Sequence, residues 1–266
     1  GEPNAEDGVA EMPRYASAVV SRPPKPQTHF FLFGRDKDDR SRWTVLRYDP
    51  RQQRAERVAD MEARQWATFS VVGESVFMVG GEASQQDRYS KRVVEFLVKE
   101  ARWRERSPLA VRHSSHAAAV VKTAGDGEGR TLLGVFGGEN EGGRLSSCEV
   151  YDVSRDRWFN LPDMREKRNA PAAACLPGDS RVFVFGGFNG SSFLASVEFC
   201  RLEADWEEAT ATSARTADFW QAAAPMRTAR YAPAATPFRG RIIVAGGCRK
   251  AKAVEMFTTP DASSPL

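Results

Sequence analysis

Val182-Phe183-Val184-Phe185-Gly186-Gly187 is a short apolar run closed by two glycines, the pattern of a buried strand ending where the backbone needs a freedom that a Cβ denies. The signal recurs along the chain. The runs Phe30 to Phe33, Val76 to Val79, Leu132 to Phe136 and Ile242 to Ala245 end at Phe33-Gly34, Gly80-Gly81, Gly137-Gly138 and Gly246-Gly247. The first glycines lie 46, 57, 49 and 60 residues apart, and repeats of about 50 residues point to propeller blades.

The sequence around each run keeps step with it. Upstream stand a Met or Leu and then Arg before a small-residue strand: Met12 and Arg14, Met61 and Arg64, Leu109 and Arg112, Met164 and Arg168, Met226 and Arg230. Downstream, a strand carries Glu two places before an aromatic or apolar residue, at Glu95, Glu149, Glu198 and Glu255. Trp103, Trp158 and Trp220 each precede the next Met or Leu by six residues. Each copy thus supplies four short strands, a to d, with the glycines ending b. In the fourth copy the strands are expected at 170–176, 182–185, 197–200 and near Trp220. Tryptophan, a large apolar plate with one polar handle, suits the wedge between sheets, so Trp158 is expected to be largely buried, and Trp220 rather than Trp206 to fill the matching place.

The expected fold is all-β, a propeller of five four-stranded blades forming one domain over 1–266, with repeats at about 12–60, 61–108, 109–163, 164–225 and 226–257 plus 6–11. The fifth copy lacks a Trp strand. Val9-Ala10-Glu11-Met12 matches Val58-Ala59-Asp60-Met61, which predicts that the N-terminal segment supplies the closing strand and protects an edge. Residues 122–130, rich in Gly and charge, read as a loop extension. The Ala, Thr, Ser and Glu stretch between Glu203 and Phe219 reads as a flexible insertion between c and d, with a short helix as the alternative.

The double glycines, Glu149-Val150-Tyr151-Asp152, and the spacing from Tyr151 to Trp158, Met164 and Arg168 resemble the Kelch family over nearly the whole chain. The first copy departs, with Gly34-Arg35 and with Ala55 where a Trp is expected. The resemblance implies protein binding. Within the Kelch-like group it implies the substrate-recognition propeller of a protein that carries BTB and BACK domains elsewhere and recruits a cullin-RING ubiquitin ligase. Other Kelch proteins bind actin, and some propellers of this fold are small-molecule enzymes. Kelch propellers usually have six blades, so a sixth copy in a longer chain is the alternative to closure at five.

Net charge is +3, too little to argue for nucleic acid. No apolar run reaches the roughly 18 residues of a membrane span, and no secretory signal opens the chain. Cys148, Cys175, Cys200 and Cys248 have no metal-ligand spacing, which favours reduced thiols and a cytoplasmic protein. Catalytic signals are thin. His113 and His116, three residues apart, read as loop polar residues rather than metal ligands, and no acid-base pair or phosphate loop stands out. The chain is therefore read as a non-enzyme without a cofactor.

In a Kelch-type propeller the turns from d to a and the loops from b to c share one face. Arg64, Arg112, Arg168 and Arg230 would converge there with Gln65, His113, Ser114, Asn169, Tyr231, Asn189 and Arg249. Guanidinium groups so placed favour carboxylates or phosphates. The expected ligand is an acidic or phosphorylated peptide from a partner protein.

Overall fold

The structure, a computed structural model, describes residues 16–19, 30–84, 86–123, 129–212, 216–247 and 253–260. It divides into two compact units, Gly1–Ala63 and Arg64–Leu266. In the first unit, β1 (Ala16–Val19), β2 (Phe30–Arg35), β3 (Trp43–Asp49) and β4 (Arg54–Met61) form one antiparallel sheet in chain order. A register shift falls between Val45 and Leu46. Gly34, alone where other copies have two glycines, pairs with Thr44 inside the ladder.

The second unit holds four sheets of three or four strands and one two-stranded ribbon among its described residues. They are β5 (Thr68–Val72) to β6 (Ser75–Val79), β7 (Val93–Leu97) and β8 (Arg102–Arg106); β9 (Ala117–Lys122) and β10 (Thr131–Phe136), followed by the β11 (Glu139–Asn140) and β12 (Gly143–Arg144) ribbon, then β13 (Cys148–Asp152) and β14 (Arg157–Leu161); β15 (Ala172–Ala174), β16 (Arg181–Phe185), β17 (Val197–Arg201) and β18 (Gln221–Ala223); and β19 (Pro233–Phe238), β20 (Arg241–Gly246) and β21 (Val254–Phe257). The apolar runs fall on the second strand of every sheet. The predicted closing strand at 6–11 lies outside the described residues, and the fifth sheet has three described strands.

Strand alternation explains why these runs are apolar at every position. On β10, Leu133 and Val135 pack with Phe77, Val79 and Val93 of the preceding sheet, whereas Leu132 and Phe136 pack with Val182 and Val184 of the next. On β16, Phe183 and Phe185 turn the other way, toward Ile242, Val244 and Phe257. Side chains alternate sides along a strand, so a strand between two sheets buries both sets and loses the polar face of a surface strand.

Tryptophan ties neighbouring sheets at equivalent points. The Trp158 indole N–H donates to the Ser107 carbonyl at 2.7 Å and that of Trp220 to the Pro162 carbonyl at 2.8 Å; each carbonyl lies two residues before the Leu or Met opening a repeat. Trp220 is fully buried and meets Phe136 edge-on at 5.9 Å. Trp158 is half-buried, less enclosed than expected, with its ring 4.9 Å from Tyr151.

The insertion after β17 is helical rather than a flexible coil. Its described residues form α1 (Trp206–Thr212) and α2 (Thr216–Phe219). Glu207 and Glu208 sit in the first turn of α1, where carboxylates suit the helix dipole. Tertiary anchors hold it down: Trp206 is buried edge-on to Phe159 at 5.0 Å, and Glu207 pairs with Arg130 and Arg155 of the preceding sheet. A sequence preference for helix this short would be marginal without such packing.

Trp220→Ala should destabilise the protein by about 3–5 kcal/mol, while Trp220→Phe, which chiefly removes the bond to Pro162, should lose about 1 kcal/mol. Equilibrium chemical denaturation separates the two. Equal losses would mean that the hydrogen bond, not the packing, carries the position.

Candidate functional site

Four turns enter the sheets of the second unit, and each contains a non-glycine residue at positive φ: Trp66 at 57°, Ser115 at 52°, Ala170 at 47° and Ala232 at 55°. Backbone hydrogen bonds join these residues in sequence. The Ser115 N–H donates to Trp66 (3.1 Å), that of Ala170 to Ser115 (2.8 Å), and that of Ala232 to Ala170 (2.9 Å). The bonds hold each backbone in a conformation that side-chain-bearing residues otherwise avoid.

Counting back two places from each makes Arg64, His113, Arg168 and Arg230 equivalent, and Gln65, Ser114, Asn169 and Tyr231 equivalent beside them. Arg64, Arg168 and Arg230 are buried, at 3%, 1% and 1% exposure. Arg168 donates through Nε to Glu198 (2.8 Å), through Nη1 to the carbonyls of Gly186 (2.8 Å) and Ser196 (3.1 Å), and through Nη2 to Glu166 (3.1 Å) and Ser196 Oγ (2.9 Å). Arg230 repeats the pattern on Glu255 and on the carbonyls of Gly246 and Ala253. Arg64 reaches Ser90, which stands where Ser196 stands for Arg168. His113 does the same work with a ring, Nδ1 meeting the Gly137 carbonyl at 2.7 Å and Nε2 meeting Glu149 at 3.3 Å.

The glutamate of the third strand is thus the anchor of three of the four entering turns. Glu149 also accepts from the N–H groups of Ala110 and Val111, Glu198 from Arg165, and Glu255 from Arg227. Burial alone would raise the Glu255 carboxyl, but the hydrogen bonds of Arg230 and Arg227 outweigh it and hold the group below its usual range. In the second sheet Glu95 differs, pairing with Arg104 and Arg106 of β8.

The double glycines close the same joint from the other side. The second glycine donates to the carbonyl of the buried residue in the next turn: Gly81 to His113 (2.9 Å), Gly138 to Arg168 (2.7 Å) and Gly187 to Arg230 (2.8 Å). A Cβ on Gly137 would lie 2.4 Å from the Arg168 carbonyl oxygen. The approach therefore requires glycine there, quite apart from its φ of 63°.

These geometries change the expected arginine face. The guanidinium groups of Arg168 and Arg230 are enclosed and committed to internal acceptors, so they do not present a charge to a ligand. Arg112 is exposed but out of register with them; it bonds the Tyr89 carbonyl at 2.7 Å and lies 3.5 Å from Glu141. His113 and His116 are buried rather than loop residues, with His116 Nε2 2.8 Å from the Thr68 hydroxyl. Ser114 is buried and paired through its backbone with Glu139. Asn189 spends its Oδ1 within its own turn, on Ser191 and Ser192. Arg249 and Cys248 lie outside the described residues.

What the turns do expose is different from copy to copy. Gln65 and Trp66 are exposed, Trp66 at 49%. Tyr231 is half-buried and joined by Phe188 and Phe193, two residues that the sequence reading passed over. Their signal was two phenylalanines inside a polar loop, Phe188-Asn189-Gly190-Ser191-Ser192-Phe193. Among the described residues no group of three His, Cys, Asp or Glu is placed to hold a metal, and no helix is long and apolar enough to cross a membrane. Cys148, Cys175 and Cys200 are free thiols; burial pushes Cys175 up to about 12, and Cys148 and Cys200 well above their usual value.

The repeat unit defined by this geometry, from the second strand through the glycines, the glutamate, the Trp and the Met, coincides with a match to the Kelch motif at residues 135–165. The chain carries a Kelch motif and is similar to proteins of the Kelch-like family. It is 30% identical over 176 residues to Kelch-like protein 38 of Rattus norvegicus, covering 62% of this chain and 28% of that protein. It is 26% identical to the Kelch repeat and BTB domain-containing protein F47D12.7 of Caenorhabditis elegans, over 48% of this chain and 21% of that protein. The chain thus spans under a third of the length of these relatives. The solved structure of YjhT superposes over 92% of this chain and 85% of its own, with a TM-score of 0.65 at 12% identity, a likeness of fold. The glycines of the matched motif and Arg168, just beyond its end, are here parts of one joint.

Two outcomes test that joint. Arg168→Ala leaves Glu198 buried without its partner and should destabilise by about 3–5 kcal/mol in chemical denaturation; a loss under about 1 kcal/mol would mean that the pair is effectively solvated. The second concerns pH. Burial, with His113 adding to it, holds His116 well below its ordinary value of 6.5, so the unfolded chain takes up a proton first as pH falls and stability drops below that value. Glu255, depressed in the fold, contributes fully above its ordinary 4.5 and loses that contribution as pH falls through its lower folded value. Denaturation midpoints should therefore fall in two stages. His116→Gln should flatten the upper one, and an unchanged upper stage in that variant would contradict the assignment.

Proposed function

We propose that this chain is the substrate-recognition propeller of a Kelch-like adaptor for a cullin-RING ubiquitin ligase, and that it takes an extended peptide of a partner protein on the turn ends of its second unit. The relatives support the adaptor reading by family, one of them being named for a BTB domain beside its Kelch repeats. The observation that carries the choice of face is the contrast between equivalent positions. Those that repeat, Arg64, His113, Arg168 and Arg230, are buried and internal, while their neighbours differ from turn to turn and include exposed Gln65 and Trp66 and half-exposed Tyr231. In a repeat protein the recurring positions build the scaffold and the varying ones, gathered on one surface, recognise partners. Aromatic residues supply large contact area there at small entropic loss.

An acidic or phosphorylated peptide remains part of the proposal only through exposed cations such as Arg112 and Arg144, since the arginines expected to hold its charge are enclosed. The test uses the full-length gene product expressed in cells with an affinity tag. It should co-purify with a cullin and with ubiquitylated partner proteins. Trp66→Ala with Tyr231→Ala should remove the partners at least about tenfold, about 1.4 kcal/mol, and leave the cullin. Partners retained by the double variant would overturn the face; absence of cullin, together with co-sedimentation on actin filaments, would replace the adaptor with a cytoskeletal role.

A further inference from the structure

The loop after Gly187 places two phenylalanine rings on a polar turn. Asn189 makes the turn, its Oδ1 accepting from the N–H groups of Ser191 (2.9 Å) and Ser192 (2.8 Å) while its own N–H donates to the Ser192 carbonyl at 3.2 Å. Phe188 and Phe193 consequently face each other across a bridge, ring centroids 5.6 Å apart. Tyr231, from the next entering turn, lies 5.6 Å from Phe193 with the rings within 28° of parallel, and meets Phe188 edge-on at 6.4 Å. Arg144, from the preceding sheet's ribbon, rests its guanidinium 5.3 Å from the Phe188 ring centre.

Two consecutive repeats thus contribute the rings of one aromatic cluster and a third contributes Arg144, and the cluster is partly open, with Phe193 at 37% exposure. Arg144 is exposed and makes no ion pair among the described residues. Behind the rings, Asn169 pairs through its backbone with Phe188 in both directions, N–H to carbonyl at 2.9 and 2.8 Å. Residues paired directly across an antiparallel bridge project to the same side. The Asn169 side chain is buried, at 3% exposure, yet its Oδ1 accepts no hydrogen bond among the described residues. A buried acceptor left unmade is unfavourable, and Asn169 is the bridge partner of Phe188 in that cluster.

We propose that Phe193, Tyr231 and Phe188, with Asn169 and Arg144, form the anchor subsite of the peptide-binding face, taking an aromatic residue that stands next to an acidic one. The aromatic side chain stacks on Phe193 and Tyr231. An N–H of the peptide donates to Asn169 Oδ1, and the neighbouring carboxylate pairs with Arg144. The proposal rests on the peptide-binding reading of this face and gives it a ligand chemistry: an aromatic anchor with one charge beside it, in place of a cluster of charges.

The probe is a phage-displayed library of random peptides selected on the immobilised 266-residue chain, with the enriched sequence then synthesised with a fluorophore and titrated by fluorescence polarisation. Selection should enrich Trp, Tyr or Phe within about two positions of Asp or Glu. Phe193→Ala and Asn169→Ala should each weaken the peptide at least about tenfold, with thermal melting unchanged, while Phe193→Tyr retains it. Arg144→Ala should reduce the dependence of binding on salt. Peptides that bind Phe193→Ala undiminished, or that enrich acidic residues without an aromatic one, would overturn the anchor; if Trp66→Ala then weakens them, the binding face itself survives. Enrichment of no peptide at all would count against both.

Discussion

The joint between consecutive sheets of the second unit depends on one backbone hydrogen bond, from the second glycine of a repeat to the carbonyl of the buried residue four places after the next Met or Leu. That bond brings two main chains to a distance that only glycine permits, as the 2.4 Å approach of a Gly137 Cβ to Arg168 makes plain. Once the carbonyl is held, the side chain of the same residue continues into its own sheet, where it meets a glycine carbonyl and the glutamate of the third strand. Each Arg168-type residue is therefore a rivet, its carbonyl in one repeat and its guanidinium in the next. Buried charge of this kind adds little net stability over an apolar filling but is strongly destabilising when half of it is removed.

Much of the fold was legible because the joint uses residue types that stand out. Double glycines, a glutamate two places before an aromatic or apolar residue, and a Trp six before a Met or Leu each have one physical reason: the glycines and the Trp join neighbouring repeats, and the glutamate holds the turn that enters its own sheet. Trp220 was told apart from Trp206 by spacing alone, and its bond to Pro162 repeats that of Trp158 to Ser107. The helices after β17 were harder to read. An insertion of two short turns shows no clear periodicity, and its anchor, Trp206 against Phe159, is a tertiary fact.

The candidate site was legible in place but not in chemistry. An arginine that recurs at a turn satisfies an internal glutamate as well as it satisfies a ligand, and composition cannot distinguish the two. Matching by residue type also misled at the third repeat, where Arg112 was chosen; the equivalent position is His113, which meets Gly137 and Glu149 as the arginines meet their own glycine and glutamate. The aromatic cluster at Phe188, Phe193 and Tyr231 went unseen because its members come from two different repeats and obey no repeat rule. Scaffold residues announce themselves by recurrence, whereas recognition residues do so by breaking it.

The central claim is that the glycine amides are locked into this joint rather than lying in open loops. Amide hydrogen exchange, resolved to single residues by NMR, measures this directly at Gly81, Gly138 and Gly187. The account predicts protection comparable to that of the central strand amides of β10 and β16, and its loss at Gly138 when Arg168 is replaced by Ala. Exchange of these three amides at the rate of exposed loop residues in the unmodified protein would contradict it.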